Sequence, residues 1–239
     1  MKSDNIIWIF LLIVFLLLGT TEVLLYKSYE DNRRAAENTE TAQEPDYSNI
    51  ILSPNADFDF SDNLTGEDAE VPDNHTYIFV GDSRYVAMSE CGGASDTFFC
   101  ENGVGLYFLN SNMNDILAKA DSNTRIVVGL GVNDVGIGND GYVKALTQLD
   151  SSSDAEVYYM LVNPVDDAKC ANIGYPVTNA AVESFNTQML EGLNGSDIKI
   201  IDTYTFLTSN GYTTYDGLHY DEKTTQAIYD FIKRCLRNQ

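Results

Sequence analysis

From Thr76 to the C-terminus, short apolar runs alternate with helical stretches, and this rhythm constrains the fold more than any other feature. Tyr77 to Val80, Thr97 to Glu101, Arg125 to Leu130, Glu156 to Val162 and Ile198 to Ile201 read as five strands. Arg84 to Met88, Asn112 to Ala120, Tyr142 to Leu149, Ala180 to Leu193 and Thr224 to Leu236 read as helices. Strands this apolar must be covered on both faces, so the pattern predicts a parallel sheet between two helical layers. In such sheets ligands meet the chain beyond the carboxyl ends of the strands.

The residues at those ends carry chemistry. Strand one runs into Gly81, Asp82 and Ser83 and then directly into a helix. A serine at that corner has its hydroxyl at the mouth of the sheet and its N–H at a helix start, which suits an oxygen that becomes negative during acyl transfer. Gly103-Val104-Gly105 follows strand two, Gly131-Val132-Asn133-Asp134 follows strand three, and Asp216-Gly217-Leu218-His219 precedes the last helix. A serine hydroxyl needs an adjacent base, and that base needs an anion to fix its tautomer. Of the two histidines, only His219 lies on this edge; Asp216, three residues earlier, is its candidate partner. His75 reads as a surface residue. The spacing of histidines and carboxylates matches no metal motif, so no metal and no cofactor is expected.

Four motifs in this order resemble the SGNH hydrolases, the GDSL esterase/lipase family: Gly81-Asp82-Ser83, Gly105, Gly131-x-Asn133-Asp134 and Asp216-x-x-His219. The resemblance covers Thr76 to the C-terminus. It implies a three-layer α/β/α fold with a five-stranded, flavodoxin-like parallel sheet. It also implies Ser83 as nucleophile, His219 as general base and then acid, and Asp216 as the group orienting His219. The oxyanion hole is expected from the N–H groups of Ser83 and Gly105 and the Asn133 side-chain amide, with Gly103 as the alternative glycine. Arg84 stands where the family usually has leucine, and it joins Tyr175 and Tyr215 as an expected substrate contact. The Gly-x-Ser-x-Gly elbow of α/β-hydrolases is absent from the sequence.

The ester is read from context. The formal net charge of -22 disfavours nucleic acid and anionic lipid surfaces as partners. Residues 1–27 hold an apolar run from Ile6 to Leu18, extended by Val23, Leu24 and Leu25. It reads as a membrane anchor with the catalytic domain outside the cytoplasm, or alternatively as a signal cleaved to release a secreted enzyme. Residues 28–74 read as an acidic flexible linker and 75–239 as the hydrolase domain. An exported, tethered esterase meets cell-surface polymers, so removal of acetyl or other short acyl groups from glycans is the expected reaction. A polysaccharide acyltransferase, a lysophospholipase or lipase, and a catalytically silent surface-binding module are the alternatives. The cysteines Cys91, Cys100, Cys170 and Cys235 suggest disulfides, with Cys91–Cys100 or Cys91–Cys235 the easier pairings.

Overall fold

The computed structural model describes residue 47, residues 51–52 and residues 73–237. The apolar run of residues 1–27 and most of the linker fall outside them. Among the described residues no helix is long and apolar enough to cross a membrane.

All five expected strands are present and parallel. They are β2 (Thr76–Gly81), β3 (Asp96–Cys100), β4 (Thr124–Gly129), β5 (Glu156–Met160) and β6 (Lys199–Ile201). A sixth, β1 (Ile51–Leu52), comes from within the stretch read as linker and pairs in parallel with β6, Ile51 opposite Ile200. The sheet therefore has six strands in the order β1-β6-β5-β4-β2-β3, rather than the expected five. A two-residue strand at an edge is too short for the alternation that revealed the others.

Helices α1 (Ser83–Met88), α2 (Leu106–Leu117), α3 (Asp140–Ser151), α4 (Asp167–Ile173), α5 (Asn179–Leu193), α6 (Thr203–Asn210) and α7 (Glu222–Arg237) complete the described chain. Alternate residues along each strand enter two separate apolar layers. Ile78, Val80, Ile126, Val128, Val157 and Tyr159 pack with α2, α3 and α5. Tyr77, Phe79, Val127, Tyr158 and Met160 pack with α1, α6 and α7. Both layers are sealed, which is why the strands read as apolar throughout. Helix α7 has a strongly two-sided sequence, with Ile228, Phe231, Ile232, Cys235 and Leu236 buried.

The chain departs from β2 in two directions. Helix α1 leads to β3 on one side, while β4, β5 and β6 continue on the other. This reversal opens a crevice at the carboxyl ends of β2 and β4. Two glycines of the expected motifs, Gly81 and Gly131, and Asn133 stand at or just past those ends.

The expected disulfides do not form: all four cysteines are free. Cys170 packs in one apolar layer, while Cys91, Cys100 and Cys235 belong to the other.

The tightest joint lies under the serine corner. An added Cβ at Gly81 would sit 2.1 Å from the Tyr85 ring, which is itself fully buried. Gly81→Ala is therefore expected to cost about 3 kcal/mol through forced repacking, read as a lowered urea midpoint at unchanged slope.

Candidate active site

The serine corner is built on a buried carboxylate. Asp82 caps α1 by accepting the Arg84 N–H through Oδ1 at 3.0 Å. Its main-chain carbonyl accepts from Tyr85 and Val86. The Arg84 guanidinium returns to the same carboxylate, Nε to Oδ1 at 3.0 Å and Nη2 to Oδ2 at 2.8 Å. Asp82 is fully buried and Arg84 nearly so. Arg84, expected as a substrate contact, thus has its guanidinium buried inside the corner that presents Ser83 and committed to Asp82. Three charge-assisted bonds to Asp82, one from the Arg84 N–H and two from its guanidinium, account for the inward turn. Burial opposes its charge, and the Asp82 carboxylate more than compensates, holding its pKa above the ordinary value.

Ser83, the first residue of α1, meets His219 across 136 positions of chain: Oγ lies 2.8 Å from Nε2. The Nδ1 of the same ring lies 2.7 Å from Asp216 Oδ2. A carboxylate only accepts, so Nδ1 carries the proton and Nε2 is free to receive one from the hydroxyl. Burial alone would raise the Asp216 pKa; the main-chain and ring N–H groups of His219 and the Leu218 N–H outweigh it and hold the carboxyl at about 2.

The turn that carries this pair is fixed at both ends. Tyr215 N–H donates to the His219 carbonyl at 2.8 Å, and Thr214 bridges to Tyr220. Gly217 has φ +102°, and a Cβ there would meet the Cys170 nitrogen of α4 at 2.6 Å. Its carbonyl accepts from Asp166 at 2.8 Å, and the Tyr220 hydroxyl donates to the Pro164 carbonyl. The histidine turn therefore rests on the loop that leaves β5 and on α4, a helix not among those predicted from the sequence.

The loops that carry Gly105 and Asn133, two of the expected oxyanion donors, are joined through Val104 and Asp134. Asn133 Nδ2 donates to the Val104 carbonyl at 2.8 Å. Asp134 Oδ2 accepts the Leu106 N–H at 2.8 Å and the Tyr142 hydroxyl at 2.5 Å. A Cβ at Gly105 would fall 2.0 Å from that oxygen, so only glycine admits the approach. Gly103 stands apart, exposed and with nothing near its α-carbon. Of the two candidate glycines, Gly105 is the one packed against Asp134, next to Asn133, whose amide bonds the Val104 carbonyl. The sequence reading named Asp134 only as part of the Gly131-x-Asn133-Asp134 motif and Tyr142 only as a helix start, and gave neither a role. No local signal marked the start of α2 at Leu106 rather than Asn112, because its N-cap is Gly105 and the carboxylate that accepts the Leu106 N–H comes from Asp134 on another loop.

Tyr215 and Tyr175 are exposed, the first beside Asp216 and the second just past α4. Among the described residues no cluster of His, Cys, Asp and Glu is arranged to hold a metal ion.

No protein-family model matches the chain, and no curated protein matches it. Solved structures do. A G-D-S-L family lipolytic protein from Veillonella parvula is 19% identical, over 68% of this chain and 97% of that one, at a TM-score of 0.52. A lipase/acylhydrolase from Enterococcus faecalis is 15% identical, over 68% and 96%, at 0.53. The C-terminal catalytic domain of peptidoglycan O-acetyltransferase A from Streptococcus pneumoniae is 15% identical, over 69% and 93%, at 0.53. At these identities the likeness is one of fold: the chain has the α/β/α architecture of the GDSL/SGNH acylhydrolases.

Removing the Arg84 guanidinium strands Asp82 as a buried, unpaired charge, and breaking such a pair costs about 3–5 kcal/mol. Arg84→Leu is expected to show a loss of that size in chemical denaturation, and adding Asp82→Asn is expected to recover at least half of it.

Proposed function

We propose that this domain, which has the fold of the GDSL-type lipolytic acylhydrolases, is a serine ester hydrolase that works through an acyl-enzyme on Ser83. The observation that carries the reading is the unbroken relay from Asp216 Oδ2 through His219 to Ser83 Oγ, at 2.7 and 2.8 Å. Ser83 Oγ attacks the ester carbonyl carbon while its proton passes to His219 Nε2. The carbonyl oxygen becomes negative and turns toward the N–H groups of Ser83 and Gly105. The Asn133 amide has two hydrogens; one is committed to the Val104 carbonyl, which aims the other at the oxyanion. Collapse of the intermediate breaks the bond to the alcohol oxygen, which takes the proton from His219. A water then repeats the sequence in reverse and frees the acid. Asp216, held at about 2, stays ionised throughout neutral pH and stabilises the imidazolium.

The finer reading is removal of acetyl or other short acyl groups from cell-surface or environmental glycans. The net charge of -22 supports a neutral polymer over an anionic one. The apolar run of residues 6–18 supports a membrane-held domain outside the cytoplasm. Transfer of the acyl group to a sugar hydroxyl uses the same acyl-enzyme, and the fold is shared with a peptidoglycan O-acetyltransferase domain. Assaying acetate release against acetylated acceptor, with an oligosaccharide present, separates the two.

A fluorophosphonate probe is expected to label Ser83 in the folded protein and to fail with Ser83→Ala or His219→Ala. Intact folding with no labelling of the native chain rejects the enzyme in favour of a binding module. Asn133→Ala is expected to lower kcat by about 10²–10³ with KM within a few-fold, the signature of a donor used mainly in the transition state. Asp216→Asn is expected to lower kcat by about 10⁴, measured on p-nitrophenyl acetate.

A further inference from the structure

Among the described residues, the large apolar side chains left in solvent are Tyr107, Ile137, Ile173, Tyr175 and Tyr215. Isolated exposed apolar residues are ordinary on a protein surface. These are not scattered along the chain: Tyr107 and Ile137 follow β3 and β4, Ile173 and Tyr175 close the α4 segment that leaves β5, and Tyr215 belongs to the turn that carries Asp216 and His219, so all five stand on the segments that build the Ser83 site. Tyr107 is in the first turn of α2, next to Gly105, and is 85% exposed. Ile137, 77% exposed, donates its N–H to the carbonyl of Asp134, the residue that ties down Leu106. Tyr215, 67% exposed, adjoins Asp216 and bonds the His219 carbonyl. Ile173 ends α4, and Tyr175 donates to the carbonyl of Cys170, against which the histidine turn is seated.

The five therefore form two banks. Tyr107 and Ile137 are linked to the oxyanion donors, and Tyr215, Tyr175 and Ile173 to the histidine. The proposed chemistry distinguishes the banks. The alcohol oxygen must lie against His219 Nε2, from which it takes its proton, whereas the carbonyl oxygen lies against Gly105 and Asn133. We propose that Tyr215, Tyr175 and Ile173 receive the alcohol part of the substrate, an extended neutral glycan, and that Tyr107 and Ile137 flank its acyl group and set acyl-chain preference. This rests on the hydrolase reading above. Two of the three residues on the histidine bank are tyrosines, which pair a flat apolar face with a polar tip. That combination matches a sugar ring, with its C–H face and its hydroxyl edge. The strongly acidic chain repels anionic lipid surfaces and acidic polymers, which leaves a neutral chain as the occupant. The acyl bank is the more exposed of the two, Tyr107 at 85% and Ile137 at 77%, so it leaves room for added methylenes.

The test compares two ratios in the full-length protein. The first is kcat/KM for acetylated cello-oligosaccharides relative to p-nitrophenyl acetate; the second is kcat/KM for p-nitrophenyl butyrate relative to p-nitrophenyl acetate. Tyr215→Ala and Tyr175→Ala are expected to lower the first ratio at least tenfold, through KM, and to move the second less than twofold. Tyr107→Ala and Ile137→Ala are expected to move the second at least fivefold and the first less than twofold. Ratios that move together, exchange places or stay fixed overturn the assignment, as does a preference for lysophospholipid micelles over the oligosaccharides. Fluorophosphonate labelling keeps the two readings apart. Fixed ratios in a protein that labels at Ser83 remove the banks and leave the hydrolase, whereas a folded protein that does not label removes both.

Discussion

One desolvated carboxylate holds this structure together at the point where it matters. Asp82 lies at the end of β2 with no exposure, caps α1 and takes both ends of a guanidinium two residues ahead. Burying that charge is costly, and the cost is met only if the strand, the corner and the first helical turn keep one geometry. Ser83 sits between the two partners of this pair. Its position is therefore set by an ion pair that never touches solvent, and the packing of Tyr85 onto Gly81 and Gly129 leaves the corner no other place to go.

The remaining parts reach the same rim by a different logic. The histidine turn and the oxyanion loops are held by hydrogen bonds to their neighbours on adjacent strand ends. Asp166 holds Gly217, Pro164 accepts from Tyr220, Asp134 holds Leu106, and Val104 holds Asn133. Each bond joins segments that leave different strands. The site is thus a set of loops cross-linked in pairs around a crevice, standing on a sheet whose two faces are closed by separate apolar layers.

Much of this was legible because it depends on repetition. The five longer strands and the two-sided helix α7 announce themselves through hydrophobic period, and the serine, asparagine, aspartate and histidine stand where the topology directs attention. What escaped depends on single contacts. Strand β1 is two residues long and exists through pairing with β6. Helices α4 and α6 are short, with weak periodicity, and their starts are marked only by the side chains of Asp166 and Asp202. Arg84 was expected at the substrate because it follows the candidate nucleophile; its partner Asp82 lies only two residues away, but the sequence does not say that the pair is buried. The disulfides were expected from an even count of cysteines, and a count carries no distances.

The free thiols have a consequence for how the domain withstands its surroundings. No covalent bridge shortens the unfolded chain, so cohesion comes from side-chain packing and hydrogen bonds alone. Glutathione, or any other reductant, has nothing here to cut. A protein assembled this way keeps its shape on either side of a redox boundary, and its cysteines no longer argue for one side over the other.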